Sequence, residues 1–309
     1  MKVSAFLLFI LSGVLTFAQK KQVCFSFDDL PVVNYGITDS SFQKDMMGKL
    51  ILSLKNNGIP AIGFVNERKL FDQDKIIAFQ VELLNHWVDN GLELGNHTYS
   101  HPDYNKVSFE EFSHNILKGE TVTRGIFSRK GLTLKYFRHP FLHVGNSKAK
   151  ADSLSNFLLN HKYIVAPVTI DNEDYLFALA YKRTKVKNDS ALLSRIGHDY
   201  IYYMEAKLKY FEKQAYLLFE RDINQILLLH ASSLNADYVD SLANIFRKNN
   251  YEFVSMDKAL KDEAYKSDIT VFGNWGISWL DRWALSRGKK GDFFKDEPAT
   301  PDYIKKLAE

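Results

Sequence analysis

The strongest constraint on this chain is an alternation of strand-like and helix-like segments running from residue 23 to residue 255. Residues 23–27 read as a strand, with Val23, Phe25 and Phe27 on one face. Residues 41–57 follow with Phe42, Met46, Leu50 and Leu54 at i+4 spacing, a helical stripe that Gly58 ends. Further strands are expected over 59–65, 92–94, 134–137, 163–170, 226–229 and 252–255. Between them, helical patterns cover 74–90, 147–161 and 236–249, and Ser108-Phe109-Glu110-Glu111 is a capping box that opens another helix. Such alternation implies an α/β fold with a mainly parallel sheet, and about seven strands favour an irregular, incompletely closed (β/α) barrel. Parallel α/β folds place their chemistry at the carboxyl ends of strands.

Three stretches lie outside this rhythm. Residues 1–18 carry Lys2, a nearly continuous apolar run over 3–15 and small residues up to Ala18, the pattern of a cleaved secretory signal peptide. The run is shorter than the roughly 20 residues that span a bilayer, so stable membrane insertion after cleavage is not expected. Export to the periplasm or the extracellular space follows. Residues 176–222, rich in Lys, Tyr and Leu, read as a helical insertion between the fifth and sixth strands of a barrel covering 19–263. It is expected to wall the site. Residues 264–309 form a C-terminal extension, expected to pack on the barrel, in which Trp275, Trp279 and Trp283 share one helical face. The formal net charge is +3 with no run of five like charges, which argues against a nucleic-acid surface. Cys24, the only cysteine, falls in an apolar strand and reads as a buried hydrophobe.

Polar residues cluster where five of the strands should end. Asp28-Asp29 closes the first, and the third runs into Asn96-His97-Thr98-Tyr99-Ser100-His101. Arg138-His139-Pro140-Phe141 follows the fourth, Asp171-Asn172-Glu173-Asp174-Tyr175 the fifth, and His230 ends the sixth. Each group alone has a plain structural explanation as a turn, a cap or a packed histidine. Jointly they would face one mouth. Two His at i, i+4 can approach one ion from a helical turn, and a carboxylate from another strand can complete three ligands, leaving room for water and substrate. A second carboxylate could take a proton from water, and a further His could protonate a leaving group.

These five motifs, in this order, resemble the polysaccharide deacetylases of carbohydrate esterase family 4, the NodB-homology family, over about residues 20–260. The resemblance implies a NodB-like irregular (β/α) barrel and removal of acetyl groups from an acetylated carbohydrate. It implies that Asp29, His97 and His101 hold one divalent metal, commonly zinc. Asp28 would be the general base, oriented by Arg138, and His230 the general acid, paired with Asp174. The Phe141 N–H would help hold the oxyanion, Leu228 would line the acetyl pocket, and Tyr175 would border the substrate. Three positions depart from the family pattern. Leu30 replaces the usual Gly and could narrow the groove or force a shifted backbone. Phe141 stands where Tyr is common, and Tyr175 where Trp is usual, which leaves open whether Asp171 or Asp174 partners His230. The substrate is expected to be an N-acetylated amino-sugar oligomer or peptidoglycan. O-acetyl xylan, other non-peptide carbon–nitrogen bonds and a non-catalytic carbohydrate-binding role remain as alternatives.

Overall fold

The computed structural model describes residues 20–309, so the expected signal peptide lies outside the described residues. In chain order the strands are β1 (Lys21–Leu30), β2 (Ile62–Val65), the short antiparallel pair β3 (Phe71–Asp72) and β4 (Lys75–Ile76), β5 (Glu93–Asn96), β6 (Tyr136–Phe137), β7 (Ile164–Val165), β8 (Gln225–His230) and β9 (Tyr251–Phe253). The main sheet has the order β7-β6-β5-β2-β1-β8, with β9 on the first residues of β1, and every pairing in it is parallel. It curls into a half-barrel surrounded by helices.

The spine is β1. Val23, Cys24, Phe25 and Phe27 are all fully buried, as expected of a parallel strand covered on both faces. Around the sheet lie α1 (Ser40–Asn56), α2 (Ala78–Asp89), α3 (Phe109–Lys118), α4 (Thr121–Arg129) and α5 (Lys148–Asn160). They are followed by α6 (Asp174–Val186), α7 (Ser190–Phe219) and α8 (Ser233–Lys248), then α9 (Met256–Ala259), α10 (Trp279–Ser286) and α11 (Asp302–Ala308). Ser108 caps α3 by accepting the Glu111 N–H, the first half of the expected capping box.

The expected strand over 163–170 is cut to two residues. Pro167 has no N–H to give a ladder, and Arg138 takes the carbonyl of Ala166 at 2.7 Å. The chain then crosses to β8, where Ile170 bridges Leu227.

The segment 176–222 is two helices that pack on α8, α10 and α11. Of α6, only Tyr175, ahead of that segment, reaches the main cavity, so the insertion buttresses the site without walling it. Tyr203 accepts the Glu173 N–H and Tyr200 donates to Asn235 Oδ1, both from behind the site. In the C-terminal extension α10 starts only at Trp279, so Trp275 is not on its face. Trp279 and Trp283 are buried, Trp283 against Phe219 and Tyr265.

Candidate active site

Strict alternation would send Asp28 and Asp29 to opposite faces of β1. The pairing of β1 with β2 shifts register between Phe27 and Leu30, and Asp29 adopts φ 64°. This bulge lets both carboxylates line one cavity of about 600 Å³. Leu30 does not enter it. Its side chain turns into the core and lies over Gly63 of β2, where a Cβ would come within 2.3 Å of Leu30 Cδ2. The residue that departs from the family pattern is therefore accommodated by a glycine on the neighbouring strand and does not narrow the groove.

His97 and His101 sit on a loop, not on a helical turn. Thr98 and His101 have positive φ. The loop is held by Asn96 Oδ1, which accepts the Thr98 N–H at 2.7 Å, by Thr98 Oγ1, which accepts the His101 N–H, and by Asn115 Oδ1, which accepts those of Tyr99 and Ser100. His97 Nδ1–H donates to the Arg138 carbonyl at 2.9 Å. A carbonyl can only accept, so Nε2 keeps its lone pair for the cavity.

Asp29, His97 and His101 offer ligand atoms within 4.8 Å of one another. Asp29 Oδ1 is buried and has no hydrogen-bond partner among the described residues. Burial, with the neighbouring cations, holds both imidazoles down at about 4, hence neutral near pH 7. Burial alone would raise Asp29, but Lys69 and the two imidazoles hold it well below the usual carboxylate range. One ionised carboxylate and two neutral imidazoles around an orphaned oxygen fit a divalent cation. Lys69 was not anticipated. Its Nζ donates to the Asp29 carbonyl at 2.7 Å and lies 3.8 Å from Asp29 Oδ1.

Asp28 accepts from Arg138 Nη1 at 2.9 Å. The guanidinium is fully buried, donates to Ser26 Oγ and to the Ala166 carbonyl, and covers the Phe64 ring at 4.5 Å. It is immobile. Burial raises the Asp28 pKa, and Arg138 opposes that rise.

His230 is the register partner of Asp28 across β1 and β8. Its Nδ1–H donates to Asp174 Oδ1 at 2.6 Å, and its backbone N–H to Asp174 Oδ2 at 2.8 Å. Asn235 also donates to Asp174 Oδ2, and Asn172 Oδ1 accepts the Asp174 N–H. Geometry thus pairs His230 with Asp174. Asp171 instead accepts its neighbour's N–H, lines the cavity, and is pushed by burial up to about 7. Burial would lower His230, but Asp174, with Asp29 and Asp28, more than offsets it and carries the imidazole up to about 9. Leu228 lines the cavity, and the Tyr175 ring lies 6.1 Å from His230.

Phe141 lies on the turn Pro140–Leu142 with φ 56°. The residue is 52% exposed, and its ring lies 4.4 Å from that of His101. Two residues far along the chain shape this turn. Gly276 packs so closely that a Cβ would fall 1.9 Å from the Phe141 carbonyl oxygen. Arg282, buried, donates to the Leu142 carbonyl at 2.7 Å. His139 packs against Phe137 and Trp279, and burial lowers it to about 3. His143 lines the cavity and is held by Asp103 at 2.6 Å. His139 and His143 were expected as additional imidazoles near the site in a structural or supporting role, whereas Gly276, Arg282 and Asp103 have no local signal that would single them out.

Residues 17–156 match the family model described as polysaccharide deacetylase. The peptidoglycan-N-acetylglucosamine deacetylase of Bacillus cereus is 28% identical over 143 residues, 45% of this chain and 43% of that relative. The chain thus matches less than half the length of that curated relative. Among solved structures, the chitin deacetylase of the fungal pathogen Colletotrichum lindemuthianum is similar with a TM-score of 0.53 at 21% identity, over 79% of this chain and 89% of that one. A peptidoglycan N-acetylglucosamine deacetylase gives a TM-score of 0.50 at 16% identity, over 78% and 88%. These two likenesses speak to the fold. Over residues 17–156 the chain is thus similar to the polysaccharide deacetylases, and beyond them the likeness is one of fold.

Proposed function

We propose that this protein is an exported, zinc-dependent deacetylase that hydrolyses the acetamido group of an N-acetylated amino sugar, in an oligomer or in peptidoglycan. The observation that carries the reading is a pair of neighbouring proton-handling groups, Asp28 fixed by Arg138 and His230 fixed by Asp174, beside the Asp29-His97-His101 triad. Export would use residues 1–18 as the signal. Among the described residues, no helix is long and apolar enough to cross a membrane.

In this reading Asp29, His97 and His101 hold the ion. When bound, it supplies Lewis acidity, polarising the acetyl carbonyl and easing ionisation of water. Asp28 takes a proton from the water that attacks the carbonyl carbon, its basicity raised by burial. The Phe141 N–H faces the negative oxygen that develops, and Leu228 packs on the acetyl methyl. His230 Nε2 gives its proton to the leaving nitrogen as the carbon–nitrogen bond breaks, releasing acetate and a free amine. An amine leaves poorly without that proton, and the Asp174–His230 pair supplies it. For this reason the N-acetyl reading is preferred over O-acetyl xylan. Leu30 and residues 176–222 lie off the cavity lining, so neither supports a restriction to short chains.

Acetate release decides among the alternatives. We expect it from N-acetylglucosamine oligomers or peptidoglycan faster than from acetylated xylan. Faster release from xylan would overturn the N-acetyl preference, and no release from any of them in metal-loaded protein would refute deacetylation.

Two further outcomes test the assigned roles. His230 must be protonated to act, so kcat/KM should fall as pH rises through about 9. Asp174→Asn removes the chief of the groups that raise His230, so this alkaline limb should move to lower pH. A limb that stays in place would exclude His230 as the acid. Gly276→Ala forces the Phe141 turn to shift and should lower kcat about 10–10²-fold, since small misplacements at a reacting centre are costly. Metal content should be unchanged, and an unaltered kcat would show that the turn does not position the reaction.

A further inference from the structure

Asn96, the last residue of β5, is fully buried, and its side chain closes a turn around the first of the paired histidines. Its Oδ1 accepts the Thr98 N–H, so the amide spans the backbone that carries His97. The direction of that amide is fixed from its other end. The Ile116 carbonyl can only accept, so Asn96 Nδ2 faces it, at 2.9 Å. The same Nδ2 donates to the Tyr163 hydroxyl at 2.8 Å. Flipping the amide would set oxygen against oxygen at Ile116 and donor against donor at Thr98.

Tyr163 stands just ahead of β7 and is 5% exposed. Its oxygen accepts from Asn96, so its own proton goes to its other partner, the Glu120 carboxylate. Glu120 lies just before α4, is partly buried, and accepts Arg124 Nη2 at 2.6 Å. The bonds therefore run in one direction, from Asn96 through Tyr163 to Glu120, where the Arg124 guanidinium holds the far end. Neither Tyr163 nor Glu120 lines the cavity.

We propose that Tyr163 and Glu120 are positioning residues for the metal site. They lock the Asn96 amide, and through it the loop on which His97 and His101 sit. The loop needs such support because Thr98 and His101 have positive φ, a conformation that non-glycine residues keep only where their surroundings impose it. Without the Tyr163 hydroxyl, the buried Asn96 amide loses one of its partners, and the turn around His97 is held less firmly. The proposal rests on the reading of Asp29, His97 and His101 as ligands.

Zinc affinity of the full chain, measured in competition with a chelator, tests this without relying on turnover. Tyr163→Phe should weaken zinc binding about 10–100-fold, the usual cost of a lost supporting contact. It should also alter the visible absorption of the cobalt-loaded protein. Tyr136→Phe is the control, because Tyr136 is also buried and donates its hydroxyl to a carboxylate, that of Asp257, with no link to the loop. It should leave zinc affinity and the cobalt spectrum unchanged. Glu120→Ala should weaken zinc binding, whereas Glu120→Gln, which keeps an acceptor for the hydroxyl, should restore it. Should Tyr163→Phe fail to fold, the two Glu120 variants carry the same test. Wild-type zinc affinity in Tyr163→Phe or in Glu120→Ala, or an equal loss in Tyr136→Phe, would overturn the positioning role while the ligand assignment stands. A wild-type chain that takes up neither zinc nor cobalt would remove the ligand reading, and this proposal with it.

Discussion

Replacing Asp28 with Asn should leave the metal content unchanged and slow acetate release about 10²–10⁴-fold, the usual effect of removing a general base. Asn keeps an acceptor for Arg138 Nη1, so the barrel should form. It cannot take a proton. The buried guanidinium also loses its counter-charge, since its other partners are the neutral Ser26 hydroxyl and backbone carbonyls. The melting temperature should therefore fall while the far-ultraviolet spectrum is retained. Turnover of an N-acetyl substrate near the wild-type rate would remove Asp28 from the base role, and loss of metal would instead make it a ligand.

The second large effect is loss of the ion. Purified protein should carry about one divalent ion per chain, and chelation should abolish activity. His97→Ala and His101→Ala each remove one of three donors, the third being Asp29, whose Oδ1 has no hydrogen-bond partner among the described residues. Their metal affinity should fall by more than the roughly 10–100-fold typical of a lost supporting contact, and activity with it. His143→Ala is the contrast, because that imidazole is engaged by Asp103 and lies outside the donor set. Full occupancy in both ligand variants, measured by elemental analysis, would refute the assignment.

The two departures at the first and fourth motifs have different physical consequences. Leu30 is absorbed by Gly63, so a Cβ there is the more damaging change of the pair. Tyr175 lies beside His230 while its carbonyl accepts the hydroxyl of Tyr35, which also lines the cavity.

Much of this architecture was legible in the sequence because its signals are local. Period-two strands and i+4 stripes located the parallel strands and most helices to within a few residues, since burial on one face imposes those periods. The carboxyl-end rule then gathered Asp28, Asp29, His97, His101, Arg138 and His230 toward one mouth. What the local pattern could not carry depends on contacts between distant positions. Only the register shift of β1 against β2 turns Asp28 and Asp29 to the same cavity. The His97–His101 spacing suggested a helical turn, but side chains of Asn96, Thr98 and Asn115 hold a loop there instead. Asp174 was separated from Asp171 by the position of Asn235 on α8, and the turn at Phe141 is shaped by Gly276 and Arg282, more than a hundred residues away. Such residues repeat at no period and carry no local propensity. Their role arises when packing brings one carbonyl, one glycine or one guanidinium to a place that the chain reaches only after it has folded.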